Sequence, residues 1–110
     1  MTRKQALLRR ADKLIAWLSQ GRFAVYQDAE SIEDLQRLII IILDIVDNAL
    51  SEHRKARKHF LGLFSDTREL LEPKAGQEAG EAYAKAADYL KWGLEQYRIL
   101  IEHIDWDTAK

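Results

Sequence analysis

Six consecutive apolar residues, Leu38-Ile39-Ile40-Ile41-Ile42-Leu43, lie at the centre of a helix-length segment from Ile32 to Leu50. A helix apolar along one stripe can rest on a surface, whereas one apolar over most of its circumference needs neighbours on several sides. The run therefore demands a bundle, with the rest of the chain as its cover. At 110 residues the chain has room for a single all-helical domain, 1–110, that buries a core without staples.

The cover is legible on either side. Leu7, Ala11, Leu14 and Leu18, spaced 4, 3 and 4 and flanked by Leu8, Ile15 and Trp17, predict an amphipathic helix from about Thr2 to Gln20. Gly21 ends it. The stretch Arg22 to Glu30 reads as a loop whose Phe23, Val25 and Tyr26 close the end of the core. Ser31 followed by Glu33 and Asp34 predicts an N-cap with acids in the first turn, where the helix dipole favours them. From Ile32 a spacing of three and four runs without a slip through Leu35, Ile39, Ile42, Val46, Ala49, His53, Ala56, Phe60 and Leu63. This is a coiled-coil-type seam, and it predicts one long helix from Ser31 to Gly62. Leu38, Ile41 and Ile45 form a second stripe confined to the first half of that helix.

Asp66 and Glu69 have capping-box spacing for a short helix ending before Pro73, and Pro73-Lys74-Ala75-Gly76 is the clearest turn in the chain. The last helix, Gln77 to Asp105, has its own seam of Ala79, Tyr83, Ala86, Leu90, Gly93, Tyr97, Leu100 and Ile104. Small residues recur at every seventh position in Ala79, Ala86 and Gly93, which lets a partner helix come close. The expected fold is an all-α antiparallel bundle of three long helices and one short one. The first helix covers the two-striped half of the second, and beyond His53 a two-helix arm remains. That arm, with His53, Ala56, Phe60, Leu63, Phe64, Ala79, Tyr83 and Ala86, is expected to be buried in a homodimer or against another protein.

Several chemistries are excluded or weakened by composition. The net charge of −1 leaves no global attraction to nucleic acid or anionic membrane, so such binding needs a local patch. The chain has no cysteine, which removes disulfides, thiol nucleophiles and the common zinc-finger ligand sets, and fits a cytoplasmic setting. The amino-terminal residues lack the apolar core of a signal peptide, and no segment approaches a membrane span. Leu50, Ala56 and Leu100 stand three residues before the histidines, so the Glu-x-x-His pair of a di-iron bundle is missing. Phosphate-loop, Gly-x-Ser-x-Gly and His-Glu-x-x-His patterns are also missing, and neither cofactor nor metal is expected.

What survives is modest. His53 is a polar interruption of the seam, readable as a buried switch or register-setting residue paired across a dimer or with a carboxylate such as Asp88 or, more plainly, as a histidine satisfied at the rim. Arg54, Lys55, Arg57 and Lys58 form the one dense basic cluster, a solvated face or a phosphate-contacting patch. Asp44 and Asp47 fall on the outer arc of their helix rather than on a metal site. Arg98-Ile99-Leu100-Ile101-Glu102-His103 resembles the Arg-x4-6-His signature of the HEPN family of small helical RNases, and Arg54 to His59 repeats the spacing. The resemblance covers six residues and implies a dimeric RNase with His103 as acid/base and Arg98 as transition-state clamp. The expected function is a non-enzymatic helical module for protein–protein interaction. A nucleic-acid-associated protein or HEPN-like RNase is the alternative.

Overall fold

Thr2 opens the first helix by accepting a hydrogen bond from the Gln5 backbone, while the Gln5 side chain returns one from the Thr2 N–H, a complete capping box. The computed structural model describes residues 2–20, 23, 28–71 and 77–104, and these form four helices. They are α1 (Arg3–Leu18), α2 (Ala29–Ala49), α3 (Arg54–Leu70) and α4 (Gln77–His103). Gly21, Val25, Tyr26 and the Pro73–Gly76 turn lie outside the described residues, while Phe23 packs on the core.

The helices alternate in direction. Arg3 donates to the Ala49 carbonyl, which brings the start of α1 to the end of α2. Gln36, near the start of α2, donates to the Leu71 carbonyl just after α3, and Arg57 near the start of α3 pairs with Asp47 near the end of α2. The Phe60 ring stands edge-on to Tyr97, so the start of α3 meets the far part of α4. Each helix is thus antiparallel to the next. α4 is central: α1 and α3 pack along it, and α2 packs chiefly on α3.

The expected unbroken helix from Ser31 to Gly62 is in fact two helices joined by a tight elbow. Leu50 leaves helical geometry at φ −105°, ψ 21°, and the His53 N–H turns back to the Leu50 carbonyl at 2.9 Å. Neither glycine nor proline marks the break, and the four-residue elbow keeps the seam in phase, which is why the spacing conceals it. The physical gain is burial. Folding α3 back sets Phe60, Leu63 and Phe64 against the rest of the same chain, with Leu50 fully enclosed in the corner. A straight helix would have left them to a partner.

Three further expectations change. Asp28, not Ser31, caps α2: its carboxylate accepts from the Glu30 N–H, and Ser31 completes a capping box from the first turn. Asp66 belongs to the interior of α3, so the short separate helix before Pro73 does not form, and Gly62 is an exposed mid-helix residue rather than a stop. α1 packs chiefly on α4 rather than covering the second stripe of α2. Leu38, Ile39 and Ile42 are buried, but Ile40 and Ile41 stay about half exposed.

The α4 seam holds. Ala79, Tyr83, Ala86, Leu90 and Tyr97 are all buried, and near the end Leu94 and Ile101 carry the core phase while Leu100 and Ile104 are only half-buried.

Candidate functional site

α4 carries a second periodic set out of phase with its core seam. Lys85, Tyr89, Trp92, Gln96, Ile99 and His103 follow one another by steps of four and three, so they share the outer face of the helix. Tyr89, Trp92 and Ile99 on this face are exposed, as is Leu70 at the end of α3. The Tyr89 and Trp92 rings stack with centroids 5.6 Å apart and planes 14° from parallel. Stacking fixes both rings without burying them, so a broad apolar surface is held ready at little further entropic cost.

Two grooves meet at Trp92. One, of about 790 Å³, is lined by Asp66, Glu69, Leu70, Lys85, Asp88, Tyr89 and Trp92. Three carboxylates face one ammonium around its apolar floor. The other, about 390 Å³, continues towards the opposite end of the bundle past His59, Phe60, Ile99 and His103. Gly62 follows His59 by three and precedes Asp66 by four, which places it on the groove side of α3 between the two. A Cβ there would meet nothing within 4 Å, so α3 presents bare backbone at that point. The pattern was visible in the sequence as a second stripe on α4, but an apolar stripe does not announce whether a neighbour will cover it.

The anticipated interface residues are placed otherwise. Phe60, Leu63, Phe64, Ala79, Tyr83 and Ala86 are buried within the single chain, and His53 and Ala56 are half-buried around the elbow. The two-helix arm that called for a partner has been closed by α3. His53 immediately precedes α3, whereas Asp88 lines the groove beside Leu70 at the other end of that helix, so the two do not pair. Burial and then the Asp34 carboxylate hold the Tyr83 phenol above its ordinary range.

Of the basic cluster, Arg57 is bound to Asp47 at 2.5 Å, and Arg54, Lys55 and Lys58 are exposed. These residues crowd the first turns of α3, where His53 supplies no side-chain cap and no acid is present. Cations at a helix N-terminus oppose its dipole, so the cluster costs α3 some stability. Arg98 turns to α1, where Asp12 holds it at 2.5 Å, and also pairs with Glu102 at 3.3 Å. His103 lines the α3–α4 groove instead and donates through Nδ1 to the Ile99 carbonyl at 2.8 Å. The arginine and histidine of the six-residue motif thus serve different faces of α4. Asp44 is exposed, in keeping with an outer-arc position, whereas Asp47 is half-buried and turned to Arg57 of α3.

Among the described residues, no group of three or more His, Asp or Glu is placed to hold a metal ion, and no helix is long and apolar enough to cross a membrane. Comparisons with protein-family models, curated proteins and solved structures find no match.

Proposed function

We propose that this protein is a non-enzymatic interaction module that holds a protein partner along the outer face of α3 and α4. The observation that carries the reading is the continuous strip Leu70–Tyr89–Trp92–Ile99, which contributes four of the seven large hydrophobic side chains exposed among the described residues. Exposed aromatic and aliphatic groups gathered on one face favour association. The carboxylates of Asp66, Glu69 and Asp88 favour a partner segment that offers Lys or Arg beside its apolar anchors. Bare backbone at Gly62 allows that segment to lie close.

The test is affinity capture from the native host with wild-type and Trp92→Ala baits, with nucleic acid measured on the same eluate. A protein retained by the first and lost by the second supports the surface. Partners captured equally by both place the docking site elsewhere.

One observation favours a second reading. α1 begins with Arg3 and Lys4 at the same end of the bundle as Arg54, Lys55 and Lys58, which makes that end locally basic although the chain is nearly neutral. Phosphate binding there would weaken steeply as salt is raised. The HEPN-like version has less support, because the Arg98 guanidinium is engaged by two carboxylates and does not share the groove with His103.

A further inference from the structure

The solvent face of α2 has an order of its own. Glu33, Arg37, Ile40, Ile41, Asp44 and Asn48 are all exposed and, at helical spacing, form one stripe opposite the buried Leu35, Ile39, Ile42 and Val46. Ile40 and Ile41 are 49% and 51% exposed at its centre. The core makes no use of them, since Ile39 and Ile42 fill it completely on the other side. β-Branched residues are also poorer helix formers than the Lys, Glu or Ala that an ordinary solvent face carries.

The stripe carries one pair of opposite charges placed symmetrically about the isoleucines. Arg37 precedes the midpoint between Ile40 and Ile41 by as many positions as Asp44 follows it, and Glu33 and Asn48 are likewise equidistant. If a second α2 is laid antiparallel on the first about a twofold axis through that midpoint, Ile40 and Ile41 of the two copies meet as one cluster of four at the axis. Arg37 then faces Asp44 twice, and Glu33 faces Asn48 twice. An isologous contact requires a surface to complement itself in this way. Arg37 is free to reach across, because its 3.8 Å contact with Asp34 leaves its side chain 74% exposed.

We infer that the solvent face of α2 is a homodimer interface, closed by Ile40 and Ile41 and set in register by reciprocal Arg37–Asp44 pairs. This surface is separate from the α3–α4 groove and does not depend on the reading given to it. One helix face per subunit is a small contact, so the dimer forms with a dissociation constant on the order of micromolar.

Sedimentation and native mass spectrometry of the full chain test it. The wild type dimerises as concentration rises, and Ile40→Glu with Ile41→Glu abolishes the dimer while the helical circular dichroism is unchanged. R37D and D44R each weaken self-association by about tenfold or more, since each sets like charges opposite one another. Mixed in equal amounts, the two single variants form a heterodimer at wild-type strength, because each supplies the charge that the other lacks. A wild-type chain monomeric at about 200 µM overturns the inference, as does a dimer indifferent to the isoleucine substitutions. Failure of the two charge variants to pair overturns the antiparallel register.

Discussion

A Cβ placed on Gly93 would lie 2.9 Å from Cε1 of Phe64 and 2.5 Å from Cδ2 of Leu63, so α3 and α4 approach closely only because that position is bare. Gly93 is the last of the small residues spaced by sevens along α4, and Phe64 is fully buried against it. The contact joins the core of the bundle to the groove that lies just outside it.

Gly93→Ala is therefore expected to destabilise the fold. Alanine gains about 1 kcal/mol in helix propensity, but overpacking at a site this tight costs about 1–3 kcal/mol. Gly62→Ala supplies the contrast, since its Cβ meets open space and the propensity gain of up to about 1 kcal/mol stands alone. Urea denaturation of the two variants should move the midpoint in opposite directions, down for Gly93→Ala and up for Gly62→Ala.

Tyr97 makes the fold sensitive to alkali. Burial pushes its phenol up to about 12, partly offset by Arg10 and Arg3. A folded pKa above the unfolded value near 10 means that the folded state holds the proton longer. The contribution is complete below about pH 10 and is lost as pH rises towards about 12, by roughly 3 kcal/mol at the upper limit. The Tyr97 hydroxyl is buried without a hydrogen bond to any described residue, so Tyr97→Phe should keep or slightly raise stability at pH 7. Stability measured from pH 9 to 11.5 should fall less steeply in that variant.

The basic start of α3 opposes its own helix dipole. Arg54→Glu with Lys55→Glu puts acids in a first turn that has none, and should raise stability by about 0.3–1 kcal/mol per charge at low salt. Thermal melts at low and high ionic strength measure the effect, which should shrink as salt is added. If the same variant loses a salt-sensitive affinity for RNA, the cluster has been kept at the expense of stability for phosphate contact.

Trp92 is half exposed, and its loss should cost the fold about 2 kcal/mol while removing the wall shared by the two grooves. Trp92→Ala and Tyr89→Ala should thus retain cooperative unfolding yet lose the captured partner. An Ile99→Ala bait should weaken capture less, since Ile99 lines only the smaller groove.

The sequence by itself determined that the chain is helical, where α1 and α4 run, and most of their buried residues, because period and capping are local properties. The Ala11–Leu14–Leu18 spacing and the Ala79–Ala86–Gly93 series could be read directly. Only the tertiary structure decided how the long seam is used. An elbow at Leu50–His53 keeps the three-and-four spacing intact, so no pattern distinguishes one straight helix from two folded on each other. The choice rests on whether Phe60, Leu63 and Phe64 are buried by the same chain or by another, a comparison of whole packed states. The apolar run from Leu38 to Leu43 promised cover on several sides, and the fold left Ile40 and Ile41 outside. Which face of an apolar helix stays uncovered depends on where its neighbours dock, and on that the covalent chain is silent.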